Sequence, residues 1–387
     1  MTYDFNNIAP RKGTNCVKYD GMRCDFGADD LIPLWVADMD FAAPDFLRRA
    51  VEARAALGIY GYGIRGDDYW NAIIGWEQRR NGWKVDRSWL DFSPGVVAGF
   101  SFAIRAFTLA GDGIVIMPPV YPPFAAQIEA NDRRVINNPL ICRAGHYEID
   151  FDGLNRALEG AAAIMLCNPH NPTGRVFTPE ELCRVGELCV RHNVFIISDE
   201  IHSDLIQKPY HHTHIAALDE RFAARCITFV APTKTFNIAG LSTSVAIAPA
   251  AQVQERFRRE MARTHVDQGN VFGTTALTAS YSQGDEWLDR LLDYIGGNMR
   301  LVCDFFAARL PQVVCRPSEG TYLLWVDFRG LGLTHEELVE RMTHSARVAL
   351  NDGAHFGAEG RGFMRMNVAT SRELLLQALE RIAEAFS

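Results

Sequence analysis

No apolar run in this 387-residue chain approaches the roughly 20 residues needed to cross a bilayer. A membrane-spanning helix is therefore not expected. No CxxC pair occurs among the nine cysteines, whose odd number and irregular spacing fit neither a disulfide framework nor a zinc site. Cys167, Cys183, Cys189 and Cys226 lie inside apolar patterns and read as small core residues of a reducing compartment. Positive charge is in the minority: 39 Lys and Arg against 47 Asp and Glu give a formal net charge of −8. Nucleic acid and anionic membrane are poor candidates for the main partner. The basic pairs Arg133-Arg134 and Arg258-Arg259 are scattered and form no stripe. The first residues, Met1 to Phe5, show no charged leader followed by an apolar stretch. Repeats and low-complexity tracts are also missing. A cytoplasmic globular protein is the expectation.

The chain does have enough material for two domains and a large core, with 48% hydrophobic and 22% charged residues. Between about residue 90 and 250, short apolar runs alternate with helical patterns. The runs are Ile114–Met117, Ala163–Cys167, Val194–Ser198, Ile227–Val230 and Ser244–Ala248. That alternation predicts βαβ units and a largely parallel sheet. Thr178, Pro179 and Glu181 spell a helix N-terminus with a capping box, and Thr334 with Glu337 repeats it. After about residue 285 the pattern changes. A long amphipathic helix is expected over Trp287–Leu310, strands over Thr321–Val326 and Phe363–Asn367, and a helix over the last 16 or so residues. The expected layout is an N-terminal arm over 1–40, a large α/β domain over 41–284, and a smaller α+β domain over 285–387. The arm is expected to pack on the small domain.

Chemistry-bearing residues sit at the ends of these runs. Lys234 follows Cys226–Val230 within Ala231-Pro-Thr-Lys-Thr-Phe-Asn237. Asp199 ends Val194–Ser198, and His202 stands three residues on. Asn171 lies in Asn168-Pro-His-Asn-Pro-Thr-Gly174. An amine, a carboxylate, an imidazole and an amide so placed are the equipment for holding pyridoxal 5′-phosphate (PLP) and tuning its ring. Asp199 would keep the pyridine nitrogen protonated. His202 and Asn171 would reach the phenolic oxygen. Ser93-Pro-Gly-Val-Val97 precedes an apolar-rich helical segment, so the Val96 and Val97 N–H groups offer an anion site, with Thr233 adding a hydroxyl. Tyr121, in a loop stiffened by prolines, could lie over a planar cofactor. Arg365 could bind a carboxylate bidentately. Each residue alone also has an ordinary reading: a turn cap for Asp199, a structural histidine, an Asn-Pro turn, a packed loop tyrosine, a surface arginine. His211-His212-Thr213-His214 has no acidic or Cys neighbour at ligand spacing and reads as a surface loop, with no metal expected.

Taken together, the residues resemble fold-type I PLP enzymes of the class I/II aminotransferase superfamily. The finer pattern resembles its MalY/PatB branch of cystathionine β-lyases (C–S lyases). The resemblance runs along nearly the whole chain, through Arg11-Lys-Gly-Thr14, Trp35-Val-Ala-Asp-Met-Asp-Phe41, Tyr60-Gly-Tyr-Gly63, Pro94-Gly-Val-Val97, Asn168–Gly174, Ser198-Asp-Glu-Ile-His202, Lys234-Thr-Phe-Asn-Ile-Ala-Gly240, Thr321-Tyr-Leu-Leu-Trp325 and Arg361–Asn367. Thr233 stands where serine is expected and Lys12 where arginine is common. His202 stands where many aminotransferases have tyrosine.

This resemblance implies Lys234 as the Schiff-base lysine and Cα base, with Asp199 at the pyridine nitrogen and Tyr121 on the ring. It implies Arg365 at the carboxylate of an amino-acid substrate. It also implies a homodimer in which Tyr62 reaches the neighbouring subunit's phosphate and substrate. The activity implied is α,β-elimination from an S-substituted L-cysteine such as cystathionine. An aminotransferase would use the same residues. A regulatory protein that binds a transcription regulator through its surface is a further alternative.

Overall fold

The computed structural model describes residues 3–387. Its centre is a seven-stranded sheet of β1 (Leu90–Ser93), β2 (Gly113–Ile116), β3 (Arg134–Asn137), β4 (Ala161–Cys167), β5 (Phe195–Asp199), β6 (Cys226–Val230) and β7 (Ser244–Ile247). The strand order is β1-β7-β6-β5-β4-β2-β3. All neighbours are parallel except β7, which runs antiparallel to both β1 and β6. The other six strands therefore point the same way, and their C-terminal ends share one edge. In open α/β sheets ligands bind at that edge.

The five apolar runs read from the sequence coincide with β2, β4, β5, β6 and β7, to within two residues at either end. Both faces of the sheet are covered. Ile114 and Ile116 join one core with Phe100 and Ile104. Val115 and Met117, one residue out of phase, join the other core, which continues through Trp287 and Phe306. That period of two, with apolar residues on both faces, is what a buried parallel sheet requires.

Helix α1 (Val96–Phe107) follows β1 directly. It comes close to the sheet at Gly99, where a β-carbon would lie 2.4 Å from a ring carbon of Phe229. Helix α2 (Pro179–Arg191) starts with the expected capping box: the Thr178 hydroxyl accepts from the Glu181 N–H, and the Glu181 carboxylate accepts from the Thr178 N–H. The second box, at Thr334 and Glu337, is also formed.

Further on, α3 (Asp285–Arg309) packs on α4 (Arg372–Phe386). Beside them lies an antiparallel sheet of β8 (Leu323–Asp327), β9 (Asn351–Asp352) and β10 (Phe363–Asn367), in the order β8-β10-β9. The N-terminal segment reaches this region too. Ile32–Pro33 pairs in parallel with Val348–Ala349, and the Phe5 ring packs edge-on against Trp287 at 5.9 Å. Among the described residues no helix is long and apolar enough to cross a membrane.

Gly99 gives the clearest test of this packing. Gly99→Ala should push α1 off the sheet and cost on the order of 1–3 kcal/mol of stability, read from the urea midpoint. An unchanged midpoint would contradict the close approach.

Candidate active site

The shared edge of the sheet collects the residues singled out above. Asp199 is the last residue of β5, and Lys234 lies on the one-turn helix Pro232–Thr235 just past β6. Asn171 follows β4, and Tyr121 follows β2. Val96 and Val97 open α1 beyond β1, after Gly95 at φ 151°, a conformation that favours glycine. Arg365 comes from β10, across from the sheet.

Arg365 links the two regions. It is buried, and its Nη1 donates to Asn171 Oδ1 at 3.1 Å. Its Nη2 donates to the Trp35 carbonyl at 3.0 Å and to Asn351 Oδ1 at 2.5 Å. All of these acceptors are neutral, its Nε has no partner, and the guanidinium lies 4.9 Å from the Phe356 ring centroid. Burial lowers it to about 10. A buried cation without a carboxylate partner is expensive unless an anion is meant to join it.

Lys234 is partly buried, and its Nζ donates to the Ala37 carbonyl at 2.5 Å. The Tyr322 hydroxyl donates to the same oxygen at 2.8 Å. Burial, followed by the charge of Arg365, lowers Lys234 to about 8, with Asp38 and Asp199 opposing. The amine is thus brought toward the neutral, nucleophilic form near physiological pH. Asp199 shows the opposite shift. Burial raises it to about 7, although the Ile201 N–H donates to its Oδ1 at 3.2 Å. Burial together with the Lys234 and Arg365 charges lowers His202 to about 3, so its ring is neutral, and its buried Nδ1 has no partner. The Tyr121 hydroxyl is raised, by burial first and then by Asp199. Thr233 is buried next to Lys234.

These observations fit PLP. Asp199 would accept from a pyridinium N–H, His202 and the Asn171 amide would meet the phenolic oxygen, and the N–H groups of Val96 and Val97 would meet the phosphate. Tyr62 is not part of the assembly within one chain. It is 98% exposed on a loop with exposed Tyr60 and Ile64.

Two features escaped the sequence reading. The first is how the motif segment Trp35–Phe41 is anchored, from both sides. Asn237 Nδ2 donates to the carbonyls of Met39 and Phe41, both at 2.9 Å, and its Oδ1 accepts from the Met39 N–H. Asn367 Nδ2 donates to the carbonyls of Val36 and Asp38, at 2.7 and 2.6 Å. Asn237 sits at φ 57°, which asparagine tolerates better than most residues.

The second corrects the histidine reading. Only His211 is exposed; His212 and His214 are buried. Glu200 Oε2 pairs with His212 Nε2 at 2.7 Å and with His214 Nδ1, while Glu77 Oε2 lies 3.1 Å from His214 Nε2. Burial alone would raise Glu200 and lower His214. Their mutual attraction outweighs it, holding Glu200 at about 2 and His214 at about 10. The loop thus buries an ion pair directly behind Asp199. The cysteines Cys167, Cys189 and Cys226 are buried as expected, and Cys183 is half-buried.

With this geometry in place, the comparisons assign the family. The chain belongs to the class I and II aminotransferase family, which it matches over residues 30–382. It is 42% identical to cystathionine beta-lyase PatB of Bacillus subtilis (strain 168), over 99% of this chain and 100% of that one. Its fold is similar to a PLP-bound putative aminotransferase from Clostridium difficile 630, with a TM-score of 0.98 and 40% identity over 100% of both chains. It is also similar to the PLP-bound C–S lyase from Staphylococcus hominis, with a TM-score of 0.93 and 31% identity over 100% of this chain and 98% of that one.

The lowered Lys234 is directly testable on cofactor-free protein. Its labelling by an acylating reagent should rise through about pH 8, some two units below an ordinary lysine. Peptide mass spectrometry reads this, and a midpoint above pH 10 would exclude the depressed amine.

Proposed function

We propose that this chain is a PLP-dependent C–S lyase. It cleaves L-cystathionine or another S-substituted L-cysteine by α,β-elimination to a thiol, pyruvate and ammonia. The observation that carries the proposal is buried Arg365, whose hydrogen-bond acceptors are all neutral, brought to the same edge of the sheet as Lys234 through its bond to Asn171. That pair can hold an amino acid by its carboxylate while a base faces its Cα. The preference for elimination over amino transfer is supported by relatives named cystathionine beta-lyase that align along nearly all of this chain.

PLP, when bound, supplies an aldehyde for the substrate nitrogen and a protonated ring that takes up the electrons released at Cα. Arg365 clamps the α-carboxylate and fixes the orientation of Cα. Lys234 Nζ takes the Cα proton. Asp199 would hold a proton at the ring nitrogen, its negative charge matched to a cation. Asn171 and neutral His202 would hold the phenolic oxygen, and Tyr121 would cover the ring. The Cβ–S bond breaks, and the sulfur leaves as a thiol once it gains a proton. One water is consumed per turnover, and nitrogen and carbon leave as ammonia and pyruvate.

We also read the working unit as a cytoplasmic homodimer, with an arm over 1–40, a large domain over 41–284 and a small domain over 285–387. Support for the dimer comes from the exposed apolar run Leu57, Ile59, Tyr60, Tyr62 and Ile64. Part of that run lines a groove of about 820 Å³ together with Arg54, Arg65 and Asn270. Tyr62 would serve the partner's phosphate from there.

Incubation with L-cystathionine and PLP, without any keto acid, should release pyruvate and thiol in equal amounts, and Lys234→Ala should abolish both. Amino transfer that appears only after a keto acid is added would replace the lyase reading with an aminotransferase. Arg365→Lys should raise KM for the amino acid by about ten- to hundredfold; an unchanged KM would remove Arg365 from the carboxylate site. Sedimentation velocity should give the mass of two chains, and Tyr62→Ala should weaken PLP binding. A single-chain mass would overturn the dimer.

A further inference from the structure

Cys303 and Cys315 stand with their sulfurs 3.1 Å apart. Both residues are partly buried, and the Cys315 thiol is enclosed beside Cys303. Each is also carried on a fixed backbone. Cys303 lies in the last two turns of α3. Cys315 follows Val314, which exchanges two backbone hydrogen bonds of 2.9 Å with Asp327 at the end of β8. The chain between them turns at Leu310–Val313, where the Val313 N–H donates to the Leu310 carbonyl at 2.9 Å. Two thiols in contact on rigid elements need only a small further approach to bond.

We propose that Cys303 and Cys315 form a reversible intramolecular disulfide when the protein meets hydrogen peroxide. The contact between the two sulfurs, with burial, raises the Cys315 thiol. One of the two sulfurs, as its thiolate, attacks one peroxide oxygen, becomes a sulfenic acid and releases hydroxide. The other sulfur then displaces the hydroxyl from it, the S–S bond forms, and its proton leaves with that hydroxyl as water. Overall, two thiols are oxidised and one peroxide is reduced to two waters.

The bond would tie the end of α3 to the strand approach that continues into Ser318 and Glu319. Glu319 is not a passive neighbour. Its carboxylate accepts from Arg175 Nη1 at 3.1 Å and from the Val176 N–H at 2.8 Å, and its own N–H donates to the Gly174 carbonyl at 3.0 Å. The staple therefore braces the loop that carries Asn171. A small-molecule thiol reopens it by exchange. The thiol released by the proposed lyase is of that class, a link that rests on the lyase reading, whereas the bond itself does not.

The test uses the holoenzyme treated with a few equivalents of hydrogen peroxide, then N-ethylmaleimide, then non-reducing peptide mapping. The expected result is one linked peptide pair, Cys303 with Cys315, two fewer maleimide adducts, and full recovery with dithiothreitol. The unfolding temperature should rise by about 5 °C or more in the oxidised form. Cys303→Ser should lose the linked pair and the rise together, and Cys315→Ser serves as the reciprocal if the first variant folds poorly. Separate alkylation of both cysteines after peroxide, their conversion to sulfinic acids without linkage, or bridges only between chains through exposed Cys24, would each overturn the proposal.

Discussion

Everything at the site depends on how the backbone of Trp35–Phe41 is satisfied. This segment has no strand neighbour to pair with over most of its length, yet it passes between the large sheet and the small one. Buried peptide groups must find partners. Asn237 supplies them from the Lys234 side and Asn367 from the Arg365 side. Two amides thereby fix the segment that lies between the Lys234 amine and the Arg365 guanidinium. Below the segment, Arg11 pairs with Asp38 and Asp40, and buried Lys18 sits 3.0 Å from Asp40. Those ion pairs anchor Arg11 and Lys18 in the same place.

The electrostatics of the edge follow from topology. Six strands deliver their C-terminal ends together, and burial there pushes acids up and bases down. Asp199 and Lys234 move toward one another's range, at about 7 and about 8. Behind Asp199 the fold does the reverse. Glu200 and His214 are locked in opposite charge states by mutual contact, and Glu77 adds to the field on His214. Two adjacent carboxylates, Asp199 and Glu200, thus have unlike roles. One is left free to answer a cation, and the other is already neutralised.

Much of this could be read from the sequence, and the reasons are physical. Strand runs, both capping boxes and the placement of Asp199, Lys234 and Asn171 at strand ends depend on local periodicity and on the direction of parallel strands. The misreading of His212 and His214 has an equally clear origin. Glu77, which meets His214, is more than a hundred residues away in sequence, and Glu200 lies outside the His211–His214 stretch on the strand end that carries Asp199. The stretch is polar in sequence because its charges are matched inside the protein. Ala37 was invisible for another reason: it acts through a carbonyl, so its side-chain type carries no information. The contact of Cys303 with Cys315 depends on a turn between a helix end and a bridge, which spacing alone does not reveal.

The Ala37 oxygen has a consequence of its own. A carbonyl has two lone pairs, and here one receives the Tyr322 hydroxyl and the other the Lys234 amine. When the lysine swings away, the oxygen is still occupied, and no bare acceptor is left in the interior. The departure therefore breaks a single hydrogen bond and carries no desolvation penalty on the acceptor. Ala37 is a berth for an amine: firm enough to aim it, and loose enough to release it.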